Sequence, residues 1–84
     1  VGEWVLAEKA LNYFQQALTI DEAVFGPENP KVGIRLNNLG STYQNLGNKH
    51  KAKKCFERAY GIFETSLGKE HPHTIAVKNL GRNS

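Results

Sequence analysis

Apolar residues recur along the chain at spacings of three and four. Ala10, Phe14, Ala17 and Ile20 form one such series and Ala52, Phe56, Ala59 and Ile62 another. Spacings of this kind place side chains on one stripe of a helix, so each series predicts a helix with one buried face. Between them, Val32, Leu36, Leu39, Tyr43 and Leu46 continue with the same period from Pro30. The only short β-branched patch, "VGIR" at 32–35, runs into "LNNLGSTYQNLG" with helical spacing, so no strand is predicted. The breaks are equally legible. Gly26, Gly47 and Gly68 follow the last apolar residue of a stripe, where a left-handed residue ends a helix at least cost in glycine. Pro30 and Pro72 stand at first helical positions, where an N–H has no partner to lose, and Asn29 and His71 precede them as N-caps. The pattern predicts an all-α chain with helices over about 3–25, 30–46, 49–67 and from 72 into the C-terminal end.

Residues 9–32 and 51–74 are two copies of one pattern at an offset of 42, with nine identities in 24 positions. Lys, Ala, Phe, Ala, Ile, Glu, Gly, Glu and Pro recur in that order, from Lys9/Lys51 to Pro30/Pro72. This settles how "GKEHPHT" at 68–74 is read. Two histidines flanking a proline, beside Glu70, invite a metal or proton-transfer site, but the earlier copy is "GPENPKV". The glycine, glutamate and proline persist while both histidines change, as expected of a turn between repeats.

The 84-residue chain has room for one small domain with a thin core. Hydrophobic residues at 39% and charged residues at 23% fit a folded repeat and exclude a disordered tail. No apolar run approaches the roughly 20 residues of a bilayer span, so no membrane partner is expected. Cys55 is the single cysteine, which suits a reducing, cytoplasmic setting. The chain opens on Val1 and contains no Met, which points to a piece of a longer protein.

Leu36-x2-Leu39-Gly40-x2-Tyr43, followed by Ala52-x3-Phe56 and Ala59, resembles the tetratricopeptide repeat, a helix-turn-helix unit with a usual period of about 34 residues. The longer period of 42 and the "LNNLG" and "GP-NP" or "GK-HP" junctions are similar to the long-helix subtype of kinesin light chains. The resemblance implies antiparallel helix-turn-helix repeats stacked as an α-solenoid. It divides the chain into a half repeat (1–28), a full repeat (29–70) and a half repeat (71–84). Two departures stand out. The start, "GEWVLAEKA", carries about three extra residues against "GNKHKAKKC", which leaves Trp4 without a counterpart. The last helix is one residue shorter between Pro72 and Leu80-Gly81 than between Pro30 and Leu39-Gly40, and with that gap Asn79 answers Asn38.

In such repeats the first helix of each unit lines a concave groove that binds a protein or peptide. On the helix from Pro30, the residues away from the core stripe are Ile34, Asn37, Asn38, Ser41, Gln44 and Asn45. Amides both donate and accept, so this row suits a peptide backbone whatever its side chains. The resemblance implies that Asn38, five residues before the Tyr, contacts ligand main chain. Lys78 and Arg82, four apart beside Asn79, resemble the cationic pairs that hold acidic side chains or a C-terminal carboxylate. The expected peptide-binding residues are therefore Asn37, Asn38, Ser41, Gln44, Asn45, Lys78, Asn79 and Arg82.

Other chemistry is not expected. No nucleophile sits with a base, no glycine-rich phosphate loop appears and no Cys/His spacing suits a metal, so the reading is non-enzymatic with no cofactor, metal or catalytic residue. "NKHKAKKC" crowds lysines 49, 51, 53 and 54 without interleaved aromatics, which reads as a solvated face with Lys53 near Glu57 rather than a nucleic-acid surface. Cys55 reads as a buried, inert thiol. A self-associating module, a homo-oligomer stacked through its end helices, is the alternative to the groove binder.

Overall fold

The computed structural model describes residues 2–82, and the side chains at positions 3 and 4, Trp4 included, lie outside that description. Four helices follow in order: α1 (Glu3–Phe25), α2 (Pro30–Asn45), α3 (Lys49–Leu67) and α4 (Pro72–Arg82). No strand occurs among the described residues. The final two residues expected in the 71–84 half repeat, and Val1 of the first, lie outside the described residues.

The punctuation works as local chemistry predicts. Gly26, Gly47 and Gly68 have φ of 90°, 80° and 93°, the region a side chain disfavours. Asn29 Oδ1 accepts a hydrogen bond from the Lys31 N–H (2.9 Å), and Asn48 caps α3 through the Lys51 N–H. His71 does for α4 what Asn29 does for α2: its Nδ1 accepts from the His73 N–H at 3.0 Å. The His73 ring tilts against Phe63, with centroids 5.6 Å apart. Both histidines of "GKEHPHT" thus have structural partners in the turn. α2 ends one residue short of expectation, because Leu46 takes up the capping conformation ahead of Gly47. α1 has 23 residues against 19 in α3, so the extra residues near Trp4 form an added helical turn.

Each helix packs on its sequence neighbours, α2 on α1 and α3, α3 on α2 and α4. The core consists of Val32, Leu36, Leu39 and Tyr43 from α2, Ala52, Phe56, Ala59, Ile62 and Phe63 from α3, and Val77 from α4. Two glycines let α3 approach α2. A Cβ built on Gly33 would lie 2.6 Å from Phe63 Cε1, and one on Gly40 2.6 Å from Phe56 Cε1. The pairs Gly33–Phe63 and Gly40–Phe56 are both seven residues apart on their helices, so two rings seat in two gaps of one antiparallel seam. On α4, a Cβ built on Gly81 would lie 3.6 Å from Phe56 Cβ, an ordinary contact.

One expected core position is not buried. Ile20 matches Ile62 in the repeat, yet Ile62 is 2% exposed and Ile20 is 61% exposed. The difference is one of neighbours: α2 covers that face of α3, whereas no described helix covers that face of α1. Cys55 is half-buried rather than buried. Burial nonetheless pushes its thiol above the ordinary value of 9.0, with Arg58 pulling weakly the other way.

Candidate peptide-binding face

The outer face of α2 is held in place from α1 by two side-chain contacts. Arg35 Nε donates to Asp21 Oδ2 at 2.9 Å, with the guanidinium also 6.0 Å from the Tyr13 ring centroid. Near the other end, Gln15 Nε2 donates to Tyr43 Oη at 2.9 Å, and Lys51 Nζ lies 5.6 Å over the same ring. These two locks, one near each end of α2, fix the rotation of the helix and so which residues it turns outward. Sequence reasoning did not single out Gln15, Asp21 or Arg35. The alternation of charge at positions 21 and 35 is a weak signal because nothing local ties two residues on different helices.

Ile34, Asn38 and Asn45 are exposed on α2, and Ser41 and Gln44 are half-exposed. The Asn38 backbone C=O is tied inward, accepting from Thr42 Oγ1 at 3.0 Å, while its side chain remains at the surface. Asn37 differs from its neighbour. It falls between Gly33 and Gly40 on the stripe that faces α3, and its Oδ1 is enclosed with no hydrogen-bond donor among the described residues. An enclosed acceptor without a donor costs about 1–3 kcal/mol.

Three of the eight expected residues line two different hollows among the described residues. Asn45 borders an open hollow of about 660 Å³ between α1 and the end of α2, with Gln15, Tyr43 and Lys51. Lys78 and Arg82 line a second hollow, of about 390 Å³, on the α3 side of α4, together with Lys53, Phe56, Glu57 and Tyr60. Asn79 is exposed and is not part of that lining. The two cations thus share a face, as their spacing implies, and Lys53 joins them. Glu57, expected beside Lys53, adds one opposing charge to the same hollow. The Tyr60 hydroxyl donates to Glu64 Oε2 at 3.1 Å, which with partial burial and the Glu64 charge raises its pKa above the ordinary 10.0.

No group of three His, Cys, Asp or Glu side chains among the described residues is arranged to hold a metal ion. No helix among them is long and apolar enough to cross a membrane.

A family model described as "Tetratricopeptide repeat" matches residues 6–65. The match runs from the first full turn of α1 to the last turns of α3 and takes in Leu36, Leu39, Gly40, Tyr43, Ala52, Phe56 and Ala59, every one of them buried in the fold. Such repeats generally mediate protein–protein interaction and are generally non-enzymatic. With the helix-turn-helix seam, the capped turns and this match in agreement, the chain belongs to the tetratricopeptide repeat family.

Proposed function

We propose that the chain is an interaction module that holds an extended peptide or partner segment along α2 and α4, the first helices of successive repeats bounded at 1–28, 29–70 and 71–84. The observation that carries this reading is the uncharged row of α2. Asn38, Ser41 and Asn45 offer amides and a hydroxyl to solvent, whereas Asn37 turns towards α3 and drops out of the row. A row of this kind matches the alternating N–H and C=O groups of a bound main chain. Lys78 and Arg82, with Lys53, supply a separate cationic hollow between α3 and α4 for acidic side chains or a C-terminal carboxylate. A setting in the cytoplasm and the kinesin light chain-like subtype belong to the same proposal, the latter supported by the period of 42.

A peptide array probed with the protein and with Asn38→Ala tests the assignment. Asn38 is exposed, so its truncation leaves the fold intact and is expected to weaken the best spots at least several-fold. Equal signals from both proteins remove the row from the site. On the same array, Lys78→Ala with Arg82→Ala is expected to lower signals from acidic peptides selectively.

One observation favours self-association as a second reading: α1 leaves Leu6, Tyr13, Ile20 and Val24 exposed.

A further inference from the structure

α1 and α3 both pack on α2, and a narrow cleft runs between them with α2 as its floor. Leu36, Leu39 and Tyr43 form the floor, with Leu18 of α1 and Cys55 of α3 at its sides, around a volume of about 260 Å³. At Tyr43 and Lys51 this space joins the open hollow of about 660 Å³ that reaches Leu11, Asn12 and Gln15 on α1. At about 100° per residue, the floor lies on the side of α2 away from Asn38 and Ser41. All three helices that form the cleft are in place. A helix preceding α1 as α2 precedes α3 would lie over Ala10, Ala17 and Ile20, on the far side of α1 from Asn12 and Gln15.

The two walls differ in charge. Lys51, Lys54 and Arg58, at spacings of three and four, line the α3 side. Arg58 is bonded to Glu22, but neither lysine, nor Lys49 or Lys53 beside them, joins an ion pair among the described residues. No acid stands in the first turn of α3, so these lysines crowd the helix end that disfavours positive charge. The α1 side offers the exposed amides of Asn12 and Gln15, with Glu8 at its far end. Gln15 donates to Tyr43, whose hydroxyl has no acceptor for its own proton among the described residues.

We infer that this cleft holds an extended protein segment in which apolar and acidic side chains alternate, at a second site independent of the α2 row. Alternate side chains of an extended chain point to opposite sides. The apolar ones enter the floor between Leu18 and Cys55, while the acids stay at the rim, within reach of the Lys51 and Lys54 ammonium groups. The amides of Asn12 and Gln15 and the Tyr43 hydroxyl serve the main chain. Width argues for an extended chain: Leu36, Leu39 and Tyr43 are 3–8% exposed, so the floor is too narrow for a helix about 10 Å across. Along α3 from Asn48 to Arg58 the cleft runs about 15 Å, the length of about four or five extended residues. No exposed aromatic ring lines it to stack a base, which favours a protein segment over single-stranded nucleic acid.

The probe is a short labelled peptide alternating leucine and glutamate, followed by fluorescence anisotropy. It is expected to bind saturably to the protein, with equal affinity to Asn38→Ala, and several-fold more weakly to Lys51→Gln/Lys54→Gln. That double variant is expected to melt no lower than the unaltered protein, because both lysines are exposed and their loss relieves repulsion at the start of α3. Bound peptide is also expected to slow alkylation of Cys55 several-fold, since the thiol lines the cleft. Absence of saturable binding, or binding indifferent to the lysine variant, overturns the cleft site and leaves the α2 row untouched. Equal affinity for a peptide with serine in place of leucine reduces the effect to cation attraction and overturns it as well. Binding lost in Asn38→Ala moves the peptide to the α2 row and overturns the second site. A single-stranded oligonucleotide that binds more tightly than the peptide, and is released by the same lysine variant, overturns the choice of a protein segment.

Discussion

Gly40→Ala adds one methyl group to one of the two crowded points of the α2–α3 seam. The new Cβ would stand 2.6, 2.9 and 3.0 Å from Phe56 Cε1, Cδ1 and Cζ. Carbon contacts are comfortable at about 3.5–4.0 Å, so the ring must retreat by about 1 Å. Phe56 is 1% exposed, so the ring gives way only by displacing packed neighbours. Overpacking of this kind costs about 1–3 kcal/mol, and replacing glycine by alanine inside a helix returns about 1 kcal/mol. The expected net loss is about 1 kcal/mol. Gly61→Ala is the control, since a Cβ there meets nothing within 4 Å. It is expected to gain about 1 kcal/mol by propensity alone. The two variants should differ by about 2 kcal/mol, which in a domain of this size separates their melting temperatures by about 8–16 °C. Thermal unfolding followed by circular dichroism reads the difference, and adding Phe56→Leu to Gly40→Ala should restore part of the loss. A Gly40→Ala protein that melts with or above Gly61→Ala would refute the claim that close approach at Gly40 sets the seam.

Three further outcomes follow from the turns and the titrating groups. His71→Ala removes the α4 cap and is expected to cost about 1 kcal/mol in thermal unfolding, whereas His71→Asn, which copies Asn29, is expected to be near neutral. Because the thiol of Cys55 and the hydroxyl of Tyr60 titrate higher in the fold than in the unfolded chain, their contribution is complete below about pH 9 and declines as pH rises through the folded values. A melting temperature that stays level from pH 9 to 11 would contradict that sign. Alkylation of Cys55 at mildly alkaline pH is expected to be several-fold slower in the native protein than in denaturant, the half-buried thiol being both shielded and less ionised.

The helices, their caps and most of the α2 and α3 core were legible in the sequence because these features are local. Spacing sets which side of a helix is apolar, and Gly26, Gly47, Gly68, Pro30 and Pro72 act on their own turns. What spacing does not carry is the identity of the neighbour. Ile20 and Ile62 hold the same place in the repeat, but Ile62 is buried while Ile20 is left exposed among the described residues. The same reason hides the locks on α2, since Arg35 meets Asp21 and Tyr43 meets Gln15 from another helix. Asn37 and Asn38 look alike as adjacent amides, and only the glycines at 33 and 40 show that Asn37 turns towards the seam while Asn38 turns outward. Lys78 and Arg82 were recognisable as a pair. Their companions Lys53 and Tyr60 come from α3 and become visible only when α3 and α4 are packed together.

The central claim is that a partner's main chain lies along the outer row of α2. Titrating the labelled protein with its best array peptide and following the side-chain amide resonances by NMR tests it directly. The account predicts that the Asn38 and Asn45 amides shift on binding while those of Asn12 and Gln16 on α1 stay in place. Shifts confined to α1, with the α2 amides unmoved at saturation, would contradict it.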